Sequence, residues 1–199
     1  MDDIQIISPS RKGTVGTVEL NKVLQEKLNP PENGKAEYKG FLYTYRVGDK
    51  VMQIRNNYDI VWKKDNEQGT GIFNGDIGRI VSISLASQTV NINFDGRLAV
   101  YNFDLLNQVE LAYAVTVHKS QGCEFEAVIM PVMGVFEKLC YRNLLYTAVT
   151  RAKKLLILIG SEEYINKMVD NNRRTGRYTC LKYMLSNGKE EIWQTQISE

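Results

Sequence analysis

Two uninterrupted apolar runs, AVIMPVM at 127–133 and LLILIGS at 155–161, restrict the fold more than any other feature of the sequence. A strand that is apolar on both sides belongs in a sheet covered on both faces, which means parallel strands flanked by helices. The intervening LCYRNLLYTAVTRAKK, 139–154, has the spacing of an amphipathic helix. SEEYINKMVDNN then opens as a capped helix, with Ser161 as N-cap and acidic residues in the first turn. The N-terminal end carries the same type of unit. Ile4 to Ile7 reads as a β-branched strand, Ser8-Pro9 breaks it, and Val18, Leu20, Val23, Leu24 and Leu28 recur at helical spacing until Asn29-Pro30-Pro31. Proline ends the helix there because it lacks a backbone donor and disfavours a helical predecessor.

Between these α/β pieces the period changes. From Pro30 to about Tyr43 the chain is polar and rich in turns. RVGDKVMQIRNNYDIVW, GDIGRIVSISL and TVNINFDGRLAVYNF then alternate like short strands, with turns at Gly48-Asp49, Asn74-Gly75-Asp76 and Asp95-Gly96. That spacing predicts a small antiparallel barrel. The expected organisation is an α/β domain over 1–44 and 108–199, interrupted by a β-barrel at 45–107. A chain of 199 residues, 43% hydrophobic and 24% charged, is long enough to bury such cores. Its net charge of +2 says little about partners, so any basic surface is local. Cys123, Cys140 and Cys180 are widely spaced, and His118 is the sole histidine, so no metal site is expected. Without an apolar run long enough to span a bilayer, and without a signal peptide at MDDIQIISPS, a cytoplasmic protein with no membrane partner is expected.

Three stretches could carry chemistry. In TVHKSQG, 116–122, Thr116, His118, Ser120 and Gln121 offer donors and acceptors to a phosphate or sugar, and Lys119 adds charge. The plain alternative is a solvated loop whose histidine caps a carbonyl. In LLYTAVTRAKKLLILIG, Arg151 ends a helix with Lys153 and Lys154 just beyond. Cations collect at helix C-termini for electrostatic reasons alone, whereas a functional arginine would point its planar fork across a cleft at a phosphate. SPSRKGTVGT, 8–17, resembles an anion-binding loop at a helix N-terminus, but it is not the GxxxxGK[ST] phosphate loop, a pattern the chain lacks.

Taken in order, these stretches resemble the C-terminal half of a superfamily 1 DNA helicase of the RecD-like branch, which includes the exodeoxyribonuclease V alpha subunit and TraA. ISPSRKGTVGTVELNKVLQEKLNP is similar to that family's motif IV region, AYAVTVHKSQGCEFEAVIMPV to motif V and LLYTAVTRAKKLLILIG to motif VI. NGDIGRIV resembles the start of an SH3-like insertion. The resemblance implies a RecA-like parallel-sheet domain carrying an SH3-like barrel, in a motor that uses ATP and Mg2+ to move 5′ to 3′ along single-stranded DNA. It implies Arg151 as an arginine finger toward the γ-phosphate, Glu124 and Gly122 near the ribose, and Arg11 toward the nucleotide. Thr116, His118, Lys119 and Ser120 are implied to touch the DNA backbone. Arg55, Tyr58, Trp62, Lys63 and Lys64, placed in or beside the insertion's first long turn, would extend the strand channel or else fill the barrel core.

The nucleotide would be held mainly by an N-terminal RecA-like domain of the same protein, and RecBC-like subunits are further partners compatible with the family. With neither the phosphate loop nor an acidic pair for magnesium, the chain is expected to be a truncated helicase, inactive alone as an ATPase. A stand-alone single-strand-binding module is the alternative. A metal-dependent nuclease is disfavoured by the single histidine and the absence of clustered carboxylates at ligand spacing.

Overall fold

The computed structural model describes residues 4–134, 136–172, 180, 184 and 185. β1 (Ile4–Ser8) leads into α1 (Thr17–Leu28), and β2 (Glu37–Lys39) pairs with β3 (Thr44–Arg46) as a separate hairpin. There follow β4 (Lys50–Gln53), β5 (Asn57–Lys64), β6 (Glu67–Ile72), β7 (Ile77–Ser84), β8 (Thr89–Phe94) and β9 (Arg97–Asn102). A 3-10 turn over Phe103–Gln108 leads to β10 (Val109–Leu111) and β11 (Ala114–Thr116). The chain continues through β12 (Phe125–Val132), α2 (Arg142–Val149), β13 (Ala152–Gly160) and α3 (Glu162–Asp170), which Ser161 caps by accepting from the Tyr164 amide.

Two sheets organise these elements. β11, β1, β12 and β13 lie side by side in that order, all parallel. β10, β4, β7, β8, β9, β5 and β6 form the antiparallel sheet of the SH3-like unit, closing around Val51, Ile72, Val90, Ile92, Phe94 and Tyr101. Because β10 pairs with β4, this sheet runs to Leu111 rather than ending at 107. The expected outer limits at residues 1 and 199 lie outside the described residues.

The strand expected within RVGDKVMQIRNNYDIVW forms over Asn57 to Lys64, and beside it Asp65, with φ 50°, makes the tight reversal that pairs Lys64 with Glu67. Tyr58, Trp62, Lys63 and Lys64 therefore sit on β5. The helix expected over 139–154 stops at Val149, where the Thr150 hydroxyl donates to the Thr147 carbonyl, and Lys153 and Lys154 belong to β13. Among the described residues the parallel sheet is covered more fully on one face than on the other. Ile7, Val128 and Met130 face a core with Leu144 and Leu145 of α2 and Met168 of α3. On the other face α1 shields only part of the sheet, and Ile4, Leu155, Ile157 and Ile159 are exposed among the described residues.

The helix α1 forms where its apolar spacing predicts, yet it buries a different face. Val23 and Leu28 are exposed, while Thr17, Asn21 and Gln25, followed by the C-cap Asn29, are buried at intervals of four. Buried amides need partners, and here each has one at the barrel's entry turn or its exit. Asn21 donates to the carbonyls of Leu111 and Ala114 and accepts from the Ala114 amide. Gln25 and Asn29 each donate at 2.6 Å to Asp49, which also accepts from Tyr113 and the Arg46 amide. Gln5 of β1 adds bonds to the carbonyls of Ala112 and Tyr113. The amide stripe thus clasps both junctions between barrel and parallel sheet.

Burial pushes the Asp49 carboxyl above its usual value of 3.8, although Asn29, the Arg46 amide, Tyr113 and Gln25 all pull it down. Raised in the folded state, it contributes stability that is fully present below about 3.8 and lost as pH rises through the folded value. Replacing it with alanine strands several buried donors. Asp49→Ala is expected to lower the unfolding free energy by about 3–5 kcal/mol near neutral pH, measured by urea denaturation. Lowering the pH toward 4 should shift the difference between wild type and Asp49→Asn in favour of wild type.

Candidate functional site

The segment 117–124 joins two parallel strands without a helix. Thr116 lies level with Ser8 at the carboxyl end of β1, whereas Ala127 lies level with Ile4 at its amino end. The connection therefore runs the length of the sheet, roughly 20 Å at about 3.3 Å per residue, passing over β1 with Val117 and Cys123 against the core. Turn bonds shape it: the Val117 amide donates to Ser8 O, Ser120 to Thr116 O and Cys123 to Ser120 O. Gly122 takes a φ of 85°, where a side chain would be strained although the space around it is open.

At the carboxyl edge the loops after β1 and β11 come together. Arg11 and Lys119 both reach Glu110 on β10, at 2.8 and 2.9 Å. Arg11, expected toward the nucleotide, thus stands beside Lys119, a residue expected to touch DNA. Thr116 is half-buried and its hydroxyl accepts from the Lys119 amide, while His118 is exposed. Ser120 is fully buried and its hydroxyl donates to Val117 O. This corrects its expected part: it has no face for DNA and instead holds the turn. The N-terminus of α1 is also closed to anions through its first amides, since Thr17 donates to Ser10 O and Val18 to Arg11 O.

At the amino edge Arg151 occupies the step between α2 and β13. Its guanidinium donates to Thr147 O, Cys123 O and the Thr150 hydroxyl at 3.1, 3.0 and 3.2 Å, and its own carbonyl accepts from the Phe125 amide. Arg151 is therefore fastened to the far end of the crossover, next to Gly122 and Glu124. Glu124 is exposed and pairs with Lys153 at 3.4 Å, a contact of small energetic weight at the surface. Burial raises the Cys123 thiol above its ordinary value, against the pull of the neighbouring Arg151 charge.

The barrel aromatics divide. Trp62 is half-buried over Gly69 of the paired strand, with Arg97 5.9 Å above its ring, so it serves barrel packing. Tyr58 and Phe73 are exposed and meet edge to face at 5.6 Å, and Arg55 is exposed as well. Glu110 was missed by sequence reasoning. The burial pattern of VEL, with Val109 and Leu111 inward, turns Glu110 outward, but no local signal names cations from two distant loops.

Comparisons with known proteins cover most of the chain. Residues 20–94 match the SH3 domain of ATP-dependent RecD-like DNA helicases, and residues 111–159 match the UvrD-like helicase C-terminal domain. The chain is 36% identical over 158 residues to the ATP-dependent RecD2 DNA helicase of Deinococcus radiodurans, spanning 79% of this chain and 20% of that protein. It is 28% identical over 187 residues to the RecBCD enzyme subunit RecD of Mycobacterium tuberculosis, spanning 94% of this chain and 29% of that one. The chain thus spans less than a third of either relative. Bacteroides Pif1 bound to single-stranded DNA shares the fold with a TM-score of 0.55 at 18% identity, over 96% of this chain and 46% of that structure.

The two neighbours in the crossover should respond differently to truncation. Ser120→Ala is expected to cost about 1 kcal/mol of stability through the lost buried hydroxyl bond, while His118→Ala stays within about 0.5 kcal/mol because its side chain is exposed. Paired urea titrations of the two variants check this.

Proposed function

The chain belongs to the RecD-like branch of the superfamily 1 DNA helicases, and on that premise we propose that it is the second motor domain of an ATP-driven 5′ to 3′ helicase. In this reading it supplies an arginine finger and one wall of a single-stranded DNA track. The observation that carries the reading is the crossover 117–124, which starts at the Arg11 and Lys119 pair and ends bonded to Arg151. One continuous segment therefore touches a cationic edge suited to backbone phosphates and an arginine suited to a terminal phosphate.

Thr116, His118, Lys119 and Arg11 take the strand side of this proposal, with Ser120 holding their turn. Gly122 and Glu124 take the nucleotide side. ATP and Mg2+ are supplied by an N-terminal RecA-like domain, because this chain has no GxxxxGK[ST] loop to cradle phosphates. Arg151 stays bonded to Cys123 O and Thr147 O until a γ-phosphate offers its fork a stronger, charge-assisted partner. Developing negative charge on the transferred phosphoryl group is then met by a guanidinium that cannot lose its proton. Support comes from the Deinococcus relative, named as ATP-dependent, and from the Bacteroides neighbour, solved with single-stranded DNA.

In the full-length helicase that carries this segment, Arg151→Ala should lower ATP turnover by about a thousandfold or more, with single-strand affinity changed little. Steady-state ATPase and fluorescence anisotropy on oligothymidylate measure the two. Equal loss of both, or of neither, would make Arg151 a structural residue. The purified chain by itself should not hydrolyse ATP, and turnover that disappears with Arg151→Ala would overturn that expectation.

A further inference from the structure

We infer that Glu110 is an internal stand-in for a DNA phosphate, holding Arg11 and Lys119 while no strand is bound and competing with the strand for them. This rests on the strand-track reading above. Glu110 presents one carboxylate oxygen to each cation, Oε1 to Arg11 Nη2 at 2.8 Å and Oε2 to Lys119 Nζ at 2.9 Å. A phosphodiester offers the same arrangement, two charged oxygens on one centre, so the two anions are interchangeable ligands for this pair. The carboxylate itself is largely enclosed, its side chain 16% exposed, whereas the cations are open at 31% for Lys119 and 53% for Arg11. An incoming strand can therefore reach both cations without displacing Glu110 from its place on β10.

The charge balance favours exchange over permanent neutralisation. Two cations against one carboxylate leave one net positive charge at the edge, and the exposed Lys12 lies next to Arg11. Tyr43 feels the same carboxylate and is pushed up to about 12, first by burial and then by Glu110 against the pull of Arg11, so it is neutral and adds no countercharge near neutral pH. Glu110 also belongs to the barrel sheet, while Arg11 and Lys119 leave strands of the parallel sheet. Each time a phosphate replaces the carboxylate, two bonds between barrel and motor sheet are released, and each time the strand leaves they re-form. Such a competitor weakens binding and hastens release, as a track used for stepping requires.

The test uses the chain itself and oligothymidylate, with dissociation constants measured by anisotropy between 50 and 200 mM salt. Glu110→Gln keeps the shape and removes the charge. It is expected to bind about three- to tenfold tighter at the low-salt end, with a salt slope steeper by about 0.7, the single-strand value for one further released counterion. Glu110→Asp, which keeps the charge, should retain the wild-type slope. Arg11→Gln, at an exposed side chain with little folding cost, should bind more weakly with a shallower slope. Unchanged or weaker binding by Glu110→Gln, or no effect of Arg11→Gln, would overturn the inference while leaving the strand track standing. No salt-sensitive binding by wild type and Glu110→Gln alike would overturn the strand track and this inference with it.

Discussion

Asn21, Gln25 and Asn29, spaced four residues apart along α1, hold the place where the antiparallel insertion leaves and re-enters the parallel sheet. A barrel inserted through two linkers would swing on them. Here the entry turn at Asp49 and the exit at 111–114 are bonded to the same helix, with the Asp49 carboxylate as the shared acceptor. The cost of burying that carboxylate is visible in its raised protonation equilibrium, and its donors keep it in place. The clasp fixes where β10 lies, and β10 carries Glu110. The meeting of Arg11, Glu110 and Lys119 is therefore a consequence of amides deep under α1.

The second constraint is topological. β11 and β12 are parallel with β1 between them, so the chain has to return from the carboxyl edge to the amino edge before β12 can begin. Most such returns use a helix and a dozen or more residues. This one uses residues 117–124, pinned by turn bonds at Val117, Ser120 and Cys123 and by Arg151 at its far end. A short connection bonded at these points has little slack between Lys119 and Cys123. In the proposed motor this is the physical route between strand and nucleotide.

Much of the frame was legible in the sequence because it depends on local rules. Continuous apolar runs gave β12 and β13, and Asn74-Gly75 and Asp95-Gly96 marked the barrel turns. Asn29-Pro30-Pro31 stopped α1. What stayed hidden depends on partners far along the chain. The spacing of Val18, Leu20 and Leu24 pointed to an apolar buried face, and only the carbonyls at 111 and 114 and the carboxylate at 49 explain why amides are buried instead. Arg151 and the crossover were legible as candidates by their residue types. The engagement of the Ser120 hydroxyl within the turn was not, since a buried and an exposed serine look alike in a motif, and Glu110 had no motif at all.

The proposed motor transmits strand binding along the crossover to Arg151. Amide hydrogen exchange of the full-length helicase, with and without oligothymidylate, reads it directly, because the Val117, Ser120, Cys123 and Phe125 amides are each hydrogen-bonded along this path. The expected result is a joint change in protection at all four positions on adding the strand, including Phe125, whose amide bonds to the Arg151 carbonyl. A change confined to the barrel strands or to Val117 and Ser120, with Cys123 and Phe125 unaltered, would contradict it.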